Sequence, residues 1–419
     1  RPMGKGHKGL FMLDVSAPMG EADYSKVGLW EYPGAGNTDP DLGYTYSYAS
    51  IVKTEAAGWV VVTGNGYDSD NGHAILYVFN ALTGAVLAKL DTGVGGCNGL
   101  SSPAIIDPDG NGVIDYAYAG DLKGNMWKFD LTGAAVSDWK IAFKDGATPK
   151  PLITVTGPSG NIQAITNMPA VMFVSKCNPP GSKGYLIVFG TGKYLGVPDL
   201  ADVSKQSVYG VYDWGPDWVI KTALADGDAD KFLGTFDATR SLANASLKAG
   251  KTLNLVQQTV STTTATAGGD TYRFISNNPV VYYNVEANTG SALGWYVDLP
   301  DSGERMFHRP VIRNNVFLFI ANIPEKSVCS AGGRSVFYEL DACTGGWPVL
   351  PQFDTNGDGK IDANDLINGQ TPIGKEYNTM LLDVTILDDK AYTPDADAGE
   401  IGFEDLTQRH GTQFWQIIE

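Results

Sequence analysis

The sequence LYVFNALTG at residues 76–84 is an apolar run that reaches Asn80 and continues into a turn closed by Thr83 and Gly84. An Asn or Asp side chain can cap such a turn through its oxygen, and glycine accepts the positive φ that a tight hairpin requires. The pattern returns as MWKFDLTG at 126–133, as FYELDACTG at 337–345 and, more weakly, as LFMLDV at 10–15. Recurrence about every 50 residues in the first third of the chain favours the four-stranded blades of a β-propeller.

Composition also favours an all-β class. The 419 residues include 51 glycines, and only 18% of them are charged. Aromatic and β-branched residues fall in short runs, which is typical of many short strands joined by tight turns. Because a closed propeller of this length is one unit, we predict a single domain over residues 1–419. Insertions are expected near 200–270 and 350–370, with a short inserted helix near 238–247.

The net charge of the chain is −17. This charge disfavours a nucleic-acid-binding surface, because neutralising phosphates needs clustered Lys and Arg. An acidic excess instead suits cation binding or the simple solubility of a secreted protein. No apolar run reaches the roughly 18 residues of a membrane span. The chain starts without a signal peptide and runs almost at once into a strand-like stretch. We therefore expect a fragment of a larger protein.

The four cysteines are Cys97, Cys177, Cys329 and Cys343. None forms a CxxC pair and the four histidines lie far apart in sequence, so a zinc site has no support. Cys329 and Cys343 bracket a segment typical of a loop followed by a strand. We predict a disulfide between them, which would indicate an oxidising compartment. Cys97 with Cys177 is the remaining pairing.

The strongest metal-binding pattern is DTNGDGKIDAND at residues 354–365. Numbered as a 12-residue EF-hand-type loop, it places glycine at position 6, where the chain must turn sharply, and the backbone carbonyl of Lys360 at position 7. Position 12 is aspartate rather than glutamate, as in dockerin-type and other extracellular calcium loops. An Asx-rich turn that binds nothing is the alternative. The predicted side-chain ligands are Asp354, Asn356, Asp358, Asp362 and Asp365.

A second acidic loop, DPDGNGVID, occupies residues 107–115. Its strand-like continuation, YAYAG, indicates a strand–loop–strand calcium site rather than a helix-flanked one. The alternative is a purely structural site, in which the bound Ca²⁺ only stabilises a hairpin. A third acidic patch at residues 68–71 lacks this register and is expected to be a turn. The predicted ligands are the side chains of Asp107, Asp109, Asn111 and Asp115 and the carbonyl of Val113.

Enzyme patterns are weak by comparison. A quinoprotein-like dehydrogenase shares the propeller and the Thr-Gly turns, but it needs a cofactor site built from scattered acids, whereas both acidic clusters here are contiguous loops. The sequence GTGKY at residues 190–194 lacks the first glycine of a phosphate loop and has Tyr194 where Ser or Thr must reach Mg²⁺. We therefore predict no catalytic residues and a non-enzymatic protein. A secreted glycan-binding propeller is the other alternative.

Several longer motifs resemble one known family. They are DPDLGYTYS at 39–47, GNGY at 64–67, DYAYAGDLKGNMWKFD at 115–130 and FGTGKYL at 189–195. With them, nearly the whole chain resembles the C-terminal β-propeller of the PilY/PilC family, large proteins associated with type IV pilus tips. The resemblance implies a modified seven-bladed β-propeller and a Ca²⁺ site on a nine-residue Asp loop, which matches residues 107–115. The 354–365 loop has no counterpart in this resemblance and rests on its spacing, so two Ca²⁺ sites are predicted in all.

The resemblance also implies a function. It implies a calcium-binding module that supports pilus biogenesis, in the balance of extension against retraction, together with surface attachment and twitching motility. The implied partners are the minor pilins of a tip complex and a host or abiotic surface. The implied location is the cell surface, at the pilus tip or the outer membrane, after export through the periplasm. The Arg-Gly-Asp adhesion motif of some members is absent from this chain, which puts integrin binding in doubt.

Overall fold

The computed structural model describes residues 6–16, 27–177, 184–213, 232–242, 252–261, 263–284, 289–325, 332–387, 390–394 and 401–405. Regular structure within these ranges consists of β-strands and short 3-10 helices, without an α-helix. The all-β prediction is therefore confirmed. No helix in these ranges is long and apolar enough to cross a membrane. The chain divides into two compact units, and each is described by itself.

The first unit comprises residues 1–154 and 164–168. Its opening hairpin pairs β1 (Leu10–Leu13) with β2 (Gly28–Tyr32). The next four strands form one antiparallel meander in chain order, which is the arrangement of a propeller blade. These strands are β3 (Ser50–Thr54), β4 (Gly58–Gly64), β5 (Ile75–Asn80) and β6 (Val86–Asp91).

The second sheet of this unit carries the 107–115 loop. Its central strands are β7 (Ala104–Ile106), β8 (Tyr116–Gly120) and β9 (Asn125–Asp130), which pair antiparallel in that order. A 3-10 helix, Val136–Asp138, follows β9. The remaining edge of β9 pairs with β10 (Lys140–Ile141) and with Ile153 and Thr154 of β13 (Ile153–Val155). A separate hairpin joins β11 (Phe143–Asp145) to β12 (Thr148–Lys150).

Apolar side chains from these two sheets make one core. Val62 and Val78 from the first sheet share a cluster with Ala119, Trp127 and Phe129 from the second, and all five are fully buried. Burying a side chain of the size of Phe contributes about 1.5–3 kcal/mol. The sheet that holds the loop is therefore firmly attached to its neighbour.

The second unit comprises residues 155–163 and 169–419. Its strands are β14 (Ala170–Phe173), β15 (Tyr185–Gly190), β16 (Ser207–Asp213), β17 (Gly234–Phe236), β18 (Asn254–Gln258), β19 (Ala265–Ala267), β20 (Asp270–Arg273), β21 (Ala292–Asp298), β22 (Val311–Arg313), β23 (Val316–Pro324), β24 (Gly333–Asp341), β25 (Gly374–Tyr377), β26 (Thr385–Leu387), β27 (Lys390–Pro394) and β28 (Ile401–Asp405). Two of the sheets have the strand orders β14-β15-β16-β21-β18 and β19-β20-β25-β24-β23-β22, and a third is the meander β26-β27-β28. The 3-10 helices are Val174–Lys176, Val197–Ala201 and Ala363–Asp365.

The repeated turns form as the sequence predicts. The Asn80 carboxamide oxygen accepts hydrogen bonds from the backbone N–H groups of Leu82 and Thr83, both at 3.0 Å. The Asp341 carboxylate accepts from the N–H groups of Cys343 and Thr344 at 3.0 and 2.9 Å. Each turn ends in a glycine with positive φ, 70° at Gly84 and 67° at Gly345. A side-chain cap and a glycine thus define a turn that local sequence alone can specify.

The short helix predicted near 238–247 is wrong over its described part, residues 238–242. These residues form a turn closed by a bridge between Phe236 and Leu242. The Asp237 carboxylate accepts a hydrogen bond from the N–H of Thr239 at 2.8 Å, and such a local side-chain bond competes with helix formation. Residues 243–247 lie outside the described residues.

The disulfide prediction is also wrong. Cys343 is bonded to Cys177, with 5.1 Å between their Cα atoms, and not to Cys329. Cys97 is an exposed free cysteine, so the alternative pairing of Cys97 with Cys177 is wrong as well. The bond joins residues 166 positions apart, a proximity that depends on sheet order rather than on local spacing. Cys329 lies outside the described residues.

Candidate metal centre

The 107–115 loop connects β7 to β8 and is fastened at its C-terminal end. The N–H of Asp115 donates to the carbonyl of Ile106 at 3.0 Å, which closes the base of the loop. The N–H of Ile114 donates to the carbonyl of Lys53 on β3 at 2.9 Å, and the Ile114 side chain is buried in the core of the first unit. The sequence alternates here as a strand does: Ile114 enters the core while Asp115 is left in the loop.

Three carboxylates meet in this loop. Asp107, Asp109 and Asp115 each offer one oxygen, and these oxygens lie within 4.8 Å of one another. Across the described ranges of the chain, this is the only group of three or more His, Cys, Asp or Glu side chains that satisfies that distance. The structure therefore brings together the three acids that the sequence predicts as ligands.

Hydrogen bonds within the loop define its shape. The Asp107 carboxylate accepts from the N–H groups of Gly110 and Gly112 at 2.8 and 2.7 Å. Both glycines have positive φ, 71° and 81°, which other residues rarely adopt. The Asn111 side-chain oxygen accepts from the N–H of Val113 at 2.7 Å. The two glycines of DPDGNGVID are thus required by backbone geometry, while its acids face one another.

The electrostatics of the loop favour a cation. Burial, and after it the neighbouring charges of Asp109 and Asp107, together raise the pKa of Asp115 to about 6. Asp130, at the end of β9, adds a smaller effect of the same sign. Like charges at this spacing repel unless a proton or a metal ion neutralises them. Sequence reasoning did not assign Asp130 to the site; it became visible only through the pairing of Asp130 with Tyr116 across β8 and β9.

The donor set suits a hard cation. The loop can offer oxygens from three carboxylates, the Asn111 amide and the Val113 carbonyl. Calcium takes six to eight oxygen ligands, so bidentate carboxylates or water would complete the shell. No nitrogen or sulfur ligand accompanies the three acids in this group, which disfavours zinc and other softer metals.

The start of the 354–365 loop is a turn held by its own side chains. The Asp354 carboxylate accepts from the N–H groups of Gly357 and Gly359 at 2.7 and 2.8 Å. The Asn356 side chain accepts from the N–H of Asp358 at 2.9 Å. These bonds repeat those of the 107–115 loop, so the start of both loops has one local architecture.

The end of the 354–365 loop differs. Asp365 is fully buried, and its two carboxylate oxygens accept hydrogen bonds from the N–H groups of Thr355 and Asp362 at 2.8 and 2.7 Å. The exit is a single 3-10 turn rather than the helix of an EF-hand. No three acids of this described loop converge as those of the 107–115 loop do. Calcium ligation by Asp354, Asn356, Asp358, Lys360, Asp362 and Asp365 stays a prediction.

Two of the longer motifs place a buried polar side chain between neighbouring strands and loops. Asn65 of GNGY is fully buried; its side chain donates to the carbonyls of Asp41 and His73 and accepts from the N–H of Leu100. Asp121 of DYAYAGDLKGNMWKFD is equally buried and accepts from five donors. Buried polar side chains with complete sets of partners specify one arrangement of the surrounding strands.

Meandering antiparallel sheets with an acidic strand–loop–strand turn define a β-propeller domain with a candidate cation site. Comparison with known proteins gives the family. The family model described as the PilY1 beta-propeller domain matches residues 1–266. The chain belongs to this family, as its sequence motifs indicate.

Relatives and solved structures agree. The type IV pilus biogenesis factor PilY1 of Pseudomonas aeruginosa strain UCBPP-PA14 is 30% identical over 450 residues, which cover 100% of this chain and 36% of that protein. A PilY1 homolog of Xylella fastidiosa strain Temecula1 is 32% identical over 361 residues, 82% of this chain and 21% of the homolog. The crystal structure of the P. aeruginosa PilY1 C-terminal domain matches with a TM-score of 0.73 and 30% identity, over 96% of this chain and 78% of that one.

These matches confirm the β-propeller class and the resemblance to the PilY/PilC family. The chain spans about a third or less of the length of the curated relatives, 36% and 21% in the two cases above. For this chain, the activities of those longer proteins are therefore proposals. Seven blades, and a single domain over 1–419, stay predictions.

Proposed function

We propose that this chain is a non-enzymatic, calcium-binding propeller module of a type IV pilus-associated protein. One observation carries the proposal: the oxygens of Asp107, Asp109 and Asp115 lie within 4.8 Å of one another in a member of the PilY1 propeller family. Its relatives are named pilus biogenesis factors rather than enzymes, which supports a binding role.

The loop works as a charge-controlled element in this proposal. Without an ion, three carboxylates repel one another, and this repulsion adds to burial in raising the pKa of Asp115. A bound Ca²⁺ neutralises the acids and fixes the loop between β7 and β8. The fraction of loops that hold an ion rises with the calcium concentration outside the cell. An ion that binds only the folded loop also stabilises that fold.

The module supports pilus biogenesis, surface attachment and twitching motility, with the minor pilins of a tip complex and a host or abiotic surface as partners. Calcium occupancy of the 107–115 loop shifts the balance from retraction towards extension. The protein acts at the cell surface after export through the periplasm. The family membership and the names of the relatives support this assignment, and the Cys177–Cys343 disulfide suits an oxidising compartment.

A second Ca²⁺ occupies the 354–365 loop. The support is its ligand spacing and the turn that Asp354 and Asn356 already form. Closing this site requires Asp365 to exchange its hydrogen bonds with the Thr355 and Asp362 N–H groups for the ion. The loop therefore binds more weakly than the 107–115 loop.

The experiment that tests this function uses the full-length protein that carries this domain. Asp109→Ala and Asp115→Ala remove two of the three converging carboxylates. Asp145→Ala, an exposed acid in the β11–β12 hairpin, is the matched control. Surface pili and twitching motility are measured at high and at chelated calcium. Both loop variants should reduce twitching and lose its calcium dependence while the control keeps both; loop variants that behave as the control does would contradict the proposal.

A further inference from the structure

The third copy of the repeated turn differs from the first in one side chain. In the first copy, Leu82 follows Ala81 and is 74% exposed. Cys343 follows Ala342 in the same position of the third copy and is 7% exposed. The disulfide with Cys177 thus lies at a position where the first copy exposes its side chain to solvent.

The turn at 341–345 is held without the disulfide. Its three successive carbonyls, of residues 342, 343 and 344, each accept a hydrogen bond from a buried side chain. The donors are the Trp295 indole N–H at 3.0 Å, the Tyr282 hydroxyl at 2.6 Å and the Gln258 amide at 3.0 Å. All three donors are at most 3% exposed. Removing the turn would leave buried donors unpaired, which is costly.

The other end of the disulfide is held by backbone hydrogen bonds and one buried side chain. Cys177 ends the 3-10 helix Val174–Lys176, where its N–H donates to the Val174 carbonyl at 2.8 Å. Within Val174–Cys177 only Val174 is fully buried, and its N–H donates to the Gly184 carbonyl at 3.1 Å. A single turn of 3-10 helix is weak by itself.

We infer that the Cys177–Cys343 disulfide is a reduction-sensitive tether that holds the segment Val174–Cys177 onto a rigid anchor at 341–345. A dithiol reductant breaks the S–S bond: the two sulfurs gain two electrons and two protons and become thiols, while the dithiol becomes a disulfide. Reduction then releases the Val174–Cys177 segment and leaves the anchor in place. The device is therefore local, and it gives the second unit a redox-dependent surface.

Limited trypsinolysis tests the inference, because Lys176 precedes Cys177 directly. Folded chain is digested with and without dithiothreitol, and cleavage after Lys176 is followed by mass spectrometry. Reduction should speed this cleavage by about tenfold or more, since proteolysis follows local opening. The near-UV circular dichroism from the buried aromatic side chains should persist. The Cys177→Ser variant should be cleaved rapidly with or without reductant.

Cys97→Ser is the matched control, because Cys97 is free and its removal leaves the disulfide intact. This variant should respond to dithiothreitol as the unaltered chain does. Equal cleavage rates in the oxidised and reduced chain would overturn the inference. Loss of the near-UV signal on reduction would also overturn it, because the anchor would then depend on the bond. Reduction of the unaltered chain gives this answer even if Cys177→Ser does not fold.

Discussion

Replacing Asp121 by alanine should destabilise the first unit more than any substitution in the 107–115 loop. Asp121 lies between β8 and β9 and is fully buried. One carboxylate oxygen accepts from the N–H groups of Lys123 and Asn125 at 2.8 and 2.9 Å. The other accepts from the side chains of Asn98, Asn125 and Trp127 at 3.0, 2.9 and 2.9 Å.

The expected magnitude follows from the buried donors. In the Asp121→Ala variant, the side-chain donors of Asn98, Asn125 and Trp127 stay in a cavity that water reaches poorly, since these residues are 0%, 7% and 0% exposed. An unpaired buried donor costs about 1–3 kcal/mol. Three of them would cost about 3–9 kcal/mol, and relief from burying a carboxylate offsets part of this cost. We expect a net loss of about 4 kcal/mol.

Urea denaturation followed by tryptophan fluorescence measures this loss. Asp121→Asn keeps one acceptor oxygen and should fall between the alanine variant and the unaltered chain. The exposed Asp145→Ala should change the free energy of unfolding by no more than about 0.5 kcal/mol. A loss below about 1 kcal/mol for Asp121→Ala would refute the claim that this motif organises the blade.

Three further predictions concern other parts of the chain. Burial lowers the pKa of His308 to about 4 from an ordinary 6.5, so only the unfolded chain takes up this proton between these two pH values; up to about 3 kcal/mol of stability should be lost as the pH falls from 6.5 to about 4, and His308→Gln should flatten this acid limb of a stability–pH curve. Gly64→Ala would place a Cβ 2.2 Å from the Ser101 carbonyl oxygen and should lower the melting temperature sharply, whereas at Gly28 an added Cβ meets nothing within 4 Å and alanine should be tolerated. Asp358→Ala should reduce the calcium stoichiometry from two to one; the same stoichiometry in this variant and in the unaltered chain would show that the 354–365 loop binds no ion.

Local sequence was enough for the repeated turns and for the first loop. The cap of Asn80, the cap of Asp341 and the acids of residues 107–115 all act within nine residues of chain, so spacing fixes which atoms can meet. Glycines mark where the backbone must take positive φ. These are the interactions that a single sequence discloses without knowledge of the sheet order.

Interactions between segments that are distant in sequence could not be predicted from the sequence. Cys177 meets Cys343 because a turn beyond β24 lies beside the end of β14, and nothing in the spacing of four cysteines discloses this. The spacing of the 354–365 loop was likewise incomplete as a guide, because Asp365 can bond two backbone N–H groups as well as an ion. The helix expected near 238–247 does not form over 238–242, because the Asp237 side chain accepts a hydrogen bond from the backbone N–H of Thr239 and so stabilises a turn.

Calcium titration calorimetry of the chelator-treated chain, with Asp115→Asn measured beside it, shows whether the 107–115 loop binds the ion. The unaltered chain should contain a saturable calcium site that is lost in Asp115→Asn, while the far-UV circular dichroism of the variant stays unchanged. Absence of calcium binding by the unaltered chain, or equal affinity and stoichiometry in both proteins, would contradict calcium binding by this loop.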